Sequence, residues 1–79
     1  MFKAVTFTVR GDTAFPSDML RYDRCHPRTH DDVSAMMTTG TRTVNLRRYY
    51  QPGGRDEPTR ERWESFGWRV LEGSIKQVR

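Results

Sequence analysis

Apolar and polar residues alternate over two stretches of this chain, and each alternation predicts a half-buried β-strand. In residues 2–9, FKAVTFTV, the apolar residues Val5, Phe7 and Val9 fall on one face and threonines on the other. Residues 42–50, RTVNLRRYY, alternate in the same way. The two faces of this second strand consist of Val44, Leu46, Arg48 and Tyr50, and of Thr43, Asn45, Arg47 and Tyr49. A final strand is predicted over 68–78, with a bend or bulge at Gly73.

Two segments with short apolar clusters predict helices near the middle of the chain. Residues 15–25 begin with Pro16, which suits an early helical position, and must leave helical geometry before Pro27. Residues 29–38 begin with a T-x-x-D pattern typical of a capping box, with an acid where Glu or Gln is usual. Residues 33–38 also fit a strand that turns into the next one, so both interpretations stay open.

A third helix is predicted over 58–67, because Pro58 suits its start and Gly67 its end. The predicted order is therefore β-α-α-β-α-β, or the ferredoxin-like β-α-β-β-α-β if 33–38 is extended. Either order gives a single α+β domain over residues 1–79, with two layers. We expect one sheet of three or four strands with short helices packed on one face.

The net charge of +4 lies in the second half of the chain. Residues 1–41 hold five basic and five acidic residues, whereas residues 42–79 hold nine basic and five acidic residues. Arginine supplies 12 of the 14 basic residues, and its planar fork suits phosphate, carboxylate and base edges. An arginine-rich composition is also typical of a GC-rich genome, which is an alternative explanation without function.

One cysteine excludes an intrachain disulfide and suits a reducing compartment. No apolar run approaches the roughly 20 residues that span a bilayer, and FKAVTFTV lacks a signal-peptide pattern. We therefore predict a cytoplasmic protein with no membrane interaction. A chain of 79 residues forms a thin core, which favours self-association or docking on a partner.

The segment LRYDRCHPRTHDD, residues 20–32, contains the only cysteine and both histidines of the chain. Metal binding needs about four ligands, and Pro27 prevents His26 and His30 from sharing one continuous helical face. A nucleophile and base pair of Cys25 with His26 or His30 is disfavoured, because adjacent side chains diverge and no separate orienting carboxylate is identifiable. We interpret the segment as a turn and helix cap, with Cys25 buried, and predict no catalytic residue, metal or cofactor.

The mixture of arginine and tyrosine in RTVNLRRYY makes this strand the candidate binding surface. Aromatic rings stack on bases and arginines neutralise phosphates. The candidate surface consists of Arg42, Arg47, Arg48, Tyr49, Arg55, Arg60 and Arg62. The same residues also fit a structural role, with Tyr50 in the core and Arg60 and Arg62 paired with nearby acids. No known nucleic-acid-binding motif is present.

Two weaker patterns have structural explanations as well. Trp63, Phe66 and Trp68 suggest a ligand pocket, but at this spacing beside a glycine they are typical of a core. The PGGR loop at 52–55 offers backbone amides to an anion but lacks the lysine and spacing of a phosphate loop. We predict no small-molecule substrate.

The segments FPSDMLRYDRCHP and PTRERWESFGWRV together resemble segments of small uncharacterised proteins from bacterial plasmids, phages and integrative elements. The resemblance covers about a third of the chain and implies a bacterial or mobile-element origin, with no known activity. The sequence as a whole favours a non-enzymatic binding or regulatory module that acts through a protein partner. The alternative hypothesis is a nucleic-acid-binding accessory protein that uses the arginine-tyrosine strand.

Overall fold

A computed structural model describes residues 1–78 of the chain. Its elements, in order, are β1 Lys3–Gly11, α1 Asp18–Tyr22, β2 Cys25–Pro27, α2 His30–Met37, β3 Arg42–Tyr50, α3 Arg60–Ser65, β4 Arg69–Val70 and β5 Lys76–Gln77. The sheet is antiparallel throughout, in the order β2-β3-β1-β4, with β5 also paired to β1. The predicted two-layer α+β class is confirmed.

The two predicted long strands form the centre of the sheet. They pair over their whole length, from Lys3 opposite Tyr50 to Gly11 opposite Arg42. In such a ladder, residues directly opposite each other project from the same face. Val5, Phe7 and Val9 therefore lie on the buried side of β1, as the alternation predicted. We call this side of the sheet the core face and the other side the open face.

Strand β2 was not predicted, because its sequence Cys-His-Pro has no strand propensity of its own. Its three residues pair with the edge of β3, where Cys25 lies opposite Arg48 and His26 lies opposite Arg47. The preceding helix α1 has five residues and ends at Tyr22, earlier than the predicted Cys25. Arg24 then adopts a positive φ of 52°, which turns the chain from helix into strand.

Helix α2 settles the ambiguity at 33–38 in favour of a helix, so the ferredoxin-like order is not adopted. The predicted capping box is present: Thr29 Oγ1 accepts from the Asp32 backbone N–H, and the Asp32 carboxylate accepts from the Thr29 N–H. The same carboxylate accepts from the backbone and side-chain amides of Asn45 on β3. This second role fixes the start of α2 against the sheet.

The final strand is interrupted near Gly73, where a bend was predicted. Four positions separate Val5 from Val9 on β1, but seven separate their partners Gln77 and Val70. The extra residues form a turn in which Gly73 has a φ of 73°. As a result the segment forms two short strands, and the sheet contains five strands where three or four were predicted.

Helices α1, α2 and α3, here called the helical layer, contribute Met19, Met36 and Trp63 to the core on the core face of the sheet. Phe15 packs against both tryptophans, at 5.7 Å from Trp63 and 5.3 Å from Trp68 between ring centroids. Trp68 also lies directly over Gly11, where no side chain would fit. Trp63 and Trp68 are thus core residues, as their spacing favoured.

A buried carboxylate, Asp23, joins the sheet to the helical layer. It accepts from Arg48 Nε at 3.2 Å, from Trp63 Nε1 at 3.0 Å and from Thr59 Oγ1 at 2.8 Å. The Arg48 guanidinium also donates to the Arg55 carbonyl. A buried charge is tolerated only when it is paired and hydrogen-bonded, and Asp23 meets both conditions.

Candidate functional site

The open face of the sheet carries a one-sided distribution of charge. Its outward positions on the five strands are Ala4, Thr6, Thr8, Arg10, His26, Thr43, Asn45, Arg47, Tyr49, Arg69 and Lys76. Four of these residues are arginine or lysine, one is histidine, and none is acidic. Apart from Ala4, they are exposed or half-buried. The ladder therefore produces a basic surface from strands that are far apart in sequence.

The buried Asp32 carboxylate accepts from the side-chain amide of Asn45 on the open face. An exposed acid beside this face is Asp12. It lines a small depression together with Arg10 and Arg69 at one end of the face, and therefore offsets part of the charge there. The other end, around Arg47 and His26, has no acid on its outward strand positions.

At this end the surface forms a hollow of about 180 Å³. Its lining residues are His26, Pro27, Arg28, Thr29, Arg47 and Tyr49, and we call it the Arg47 hollow. The His26 and Tyr49 rings meet edge to face, with their centroids 5.6 Å apart. Within residues 1–78 the lining offers two guanidinium groups and two aromatic rings but no carboxylate.

The side chain of Arg47 has no hydrogen-bond partner among the described residues. Its Nε atom is buried and unpaired, and no carboxylate lies within ion-pair distance of its guanidinium in this part of the chain. A ligand in the hollow would meet the terminal nitrogens of the guanidinium and not the buried Nε.

The seven residues of the predicted candidate surface do not form one surface. Arg47 and Tyr49 lie on the open face, as their shared strand face predicted. Arg48 is 8% exposed and paired with Asp23, so it is unavailable to a ligand. Arg55 lies in an exposed loop.

The remaining three candidates lie on the side of the helical layer. Arg42 donates to the Ala35 carbonyl and stacks over Trp68 at 4.9 Å from the ring centroid. Arg60 donates to the Val70 carbonyl, and Arg62 stacks on Tyr22. These groups fix the packing of helices and loops, so Arg47 and Tyr49 are the two candidates that the structure brings together at the hollow.

Four basic residues of the open face were missed by the sequence analysis: Arg10, His26, Arg69 and Lys76. Arg10 follows the alternation of β1, so its face was predictable from the threonines before it. His26 joins the face only through β2, and Arg69 and Lys76 only through the interrupted final strand. Their positions depend on strand pairing, which single-sequence patterns do not specify.

The Cys25–His30 segment does not form a reactive centre. Cys25 is fully buried on the core face, while His26 projects from the opposite face. Burial, and next the nearby Asp23 carboxylate, raise the pKa of the Cys25 thiol to about 12, although Arg48 opposes this shift. A thiol with this pKa stays protonated and is a poor nucleophile at neutral pH. Among residues 1–78, no three His, Cys, Asp or Glu side chains are close enough to hold a metal.

The helical layer exposes several apolar side chains. Met37 is 81% exposed at the end of α2, and Phe66, after α3, is 42% exposed. Phe66 therefore differs from Trp63 and Trp68, with which it was grouped as core. Between the loop 12–15 and the end of α2 lies a second depression of about 360 Å³, lined in part by Met36 and Met37.

None of the helices described over residues 1–78 has the length and apolar character needed to cross a bilayer. Comparisons of this chain with protein-family models, with curated proteins and with solved structures found no match.

Proposed function

We propose that this protein binds nucleic acid through the open face of its sheet. The observation that supports this proposal is the segregation of charge: basic residues and two aromatic rings share a face whose outward strand positions include no acid. Lysine and arginine neutralise phosphates with release of counterions, and aromatic rings stack on unpaired bases. The Arg47 hollow provides both groups within one small area.

A merely solvated surface would be expected to mix charges of both signs. The chain has ten acidic residues available, yet they occupy helices, loops and the buried Asp23 and Asp32 positions. Pairing with acids does not explain why arginines occur on the open face. The ion pair found within residues 1–78 is the buried pair of Arg48 and Asp23, and it includes no arginine of this face. The arginines of the open face therefore keep their full charge for an external polyanion.

The proposed activity is binding without catalysis and without a cofactor. The high pKa of Cys25 and the divergence of Cys25 and His26 to opposite faces support this part of the proposal. The proposed site of action is the cytoplasm, where a lone thiol stays reduced. An origin in a bacterial mobile element, as the sequence resemblance implied, would suit an accessory protein that binds nucleic acid.

The first test is fluorescence anisotropy with end-labelled single-stranded and duplex oligonucleotides at low and at physiological salt. We expect the logarithm of the affinity for a single strand to fall linearly with the logarithm of the salt concentration. The slope should be about −0.7 for each phosphate neutralised. Absence of binding even at low salt would contradict the proposal.

A matched pair of double variants tests the location of binding. Arg47→Ala with Lys76→Ala removes two charges from the open face, and should weaken binding and make the salt slope shallower. Arg21→Ala with Arg62→Ala removes the same charge from the helical layer, and should leave the slope nearly unchanged. Equal losses in both variants would show a response to net charge alone and would exclude a site on the open face.

A second candidate function is docking of a protein partner or self-association, which was favoured from the sequence. The exposed Met37 and Phe66 side chains on the helical layer support it, because exposed apolar surface on a small domain is typical of interfaces when it forms a contiguous patch. Sedimentation analysis of the purified chain distinguishes the two forms of this candidate. A dimer that Met37→Ser dissociates would support self-association, and a monomer would leave only a different protein as the partner.

A further inference from the structure

The Arg47 hollow has a more specific chemistry than the rest of the open face. Elsewhere on the face the basic side chains are exposed and interact with water. In the hollow, a half-buried guanidinium with an unpaired Nε lies beside the rings of His26 and Tyr49. A phosphate needs charge alone, whereas this combination of a planar donor fork with ring surfaces also suits a planar group.

The shape of the sheet favours a single strand over a duplex. Neighbouring strands lie about 4.8 Å apart, so the axes of the outer strands of a four-strand width are about 14 Å apart. The major groove of B-DNA is about 12 Å wide and admits a helix or a two-stranded ribbon. The open face is therefore too broad to enter the groove, and a duplex would meet it only through phosphates. A single strand would lay its bases on the face.

The donors of the hollow specify the kind of base. Guanine presents two adjacent acceptors, O6 and N7, on the edge that faces away from its pairing partner, and these match the arginine fork. Adenine presents an amino group beside N7, which would oppose a guanidinium. Thymine and uracil present one carbonyl on the corresponding edge, and would satisfy only half of the fork. Unpaired cytosine presents two adjacent acceptors, N3 and O2, on its pairing edge, but its single ring offers less area for stacking than guanine does.

We infer that the Arg47 hollow is a subsite for one unpaired guanine of a single strand. The base would stack at the His26 and Tyr49 rings and accept from the Arg47 guanidinium, while Arg28 contacts a neighbouring phosphate. This inference rests on the proposed nucleic-acid binding, and it adds a base preference and a requirement for unpaired bases.

The test uses short labelled oligothymidylates that differ only at one central position, which is guanine, adenine, cytosine or thymine. Because the guanine strand contains only one guanine, it cannot form the structures that guanine runs form. We expect the guanine strand to bind at least about fivefold more tightly than the others, the lower limit for a bidentate arginine–base pair. Annealing the guanine strand to its complement should remove this preference.

Two conservative variants assign the preference to the hollow. Arg47→Lys keeps the charge but loses the fork, and should retain the salt slope while the guanine preference disappears. Arg62→Lys makes the same change on the helical layer, outside the open face, and should retain both. Circular dichroism confirms that each variant is folded before binding is compared.

The outcomes separate this inference from the function on which it rests. Equal binding of all four strands with a steep salt slope would overturn the guanine subsite but leave nucleic-acid binding intact. A guanine preference that survives Arg47→Lys would overturn the assignment to the hollow. Absence of binding by every strand at low salt would overturn both proposals.

Discussion

Two neighbouring arginines of β3 have opposite surroundings, because they project from opposite faces of the sheet. Arg48 projects into the core, where Asp23 and the Arg55 carbonyl satisfy its guanidinium. Arg47, the preceding residue, projects from the open face and has no partner among residues 1–78. The comparison separates an arginine whose charge is paired within the fold from an arginine whose charge is not paired. Arg48 stabilises the fold, and Arg47 is available to a ligand.

The largest expected effect is that of removing the buried arginine. Arg48→Ala leaves the Asp23 carboxylate buried without a cation, and breaking a buried pair in this way costs about 3–5 kcal/mol. The small domain should be largely unfolded or strongly destabilised, as urea denaturation followed by tryptophan fluorescence would show. Arg47→Ala is the control, and its free energy of unfolding should stay within about 0.5 kcal/mol of wild type. Comparable losses in both variants would contradict the contrast between the faces.

A smaller effect is expected where the core face has no space for a methyl group. A Cβ atom at Gly11 would lie 2.6 Å from Trp68 Cε2, so Gly11→Ala requires the indole to move. Overpacking of this kind costs about 1–3 kcal/mol. Arg10→Ala, one residue earlier on the open face, should change the free energy of unfolding by less than about 0.5 kcal/mol. A neutral Gly11→Ala would show that Trp68 is loosely packed.

The smallest effect concerns the neighbours Cys25 and His26, and appears only at alkaline pH. Burial holds the pKa of the Cys25 thiol near 12, against 9.0 for an ordinary cysteine. The folded protein keeps a proton that the unfolded chain releases above pH 9. The stability that the retention of this proton contributes is therefore complete below pH 9. As the pH rises from 9 to 12, this part of the free energy of unfolding is lost by about 1.4 kcal/mol per pH unit.

Urea denaturation at pH 8 and pH 10 tests this linkage against Cys25→Ala. The wild type should lose about 1.4 kcal/mol more than the variant between the two pH values, because the variant has no thiol to titrate. The variant itself is expected to be less stable at both pH values, since the substitution leaves a small cavity. Equal decreases in the free energy of unfolding of the wild type and of Cys25→Ala between pH 8 and pH 10 would show that the thiol titrates normally in the folded protein.

The elements that local patterns specify were predictable from the sequence. Strands β1 and β3 follow from strict alternation, and α2 follows from the Thr29–Asp32 capping box, whose partners are three residues apart. Strand β2 was missed because it exists only by pairing with β3, and its Cys-His-Pro sequence carries no strand signal. The end of α1 was misplaced for the same reason, since β2 competes for the residues after Tyr22.

The candidate site was predictable only in part. Some of its residues follow from the alternation within one strand, whereas others join the site through pairing between segments that are distant in the sequence. The alternation of RTVNLRRYY correctly placed Arg47 and Tyr49 on one face and Arg48 on the other. Nothing in the sequence indicated that Arg48 is paired with Asp23, which lies 25 residues earlier. Likewise, the contribution of His26 to the hollow depends on the register between β2 and β3. Distant pairs of this kind have no periodic signature.

The Asp23 carboxylate also has a consequence for the order of folding. Its donors at Arg48, Thr59 and Trp63 lie 25, 36 and 40 residues later in the chain. Bringing such distant residues together requires closing long loops, which slows folding relative to helical proteins of the same size. During synthesis, a chain that has emerged only as far as β3 still lacks two of these donors. The domain is thus expected to close after α3 leaves the ribosome, in one cooperative step and not strand by strand.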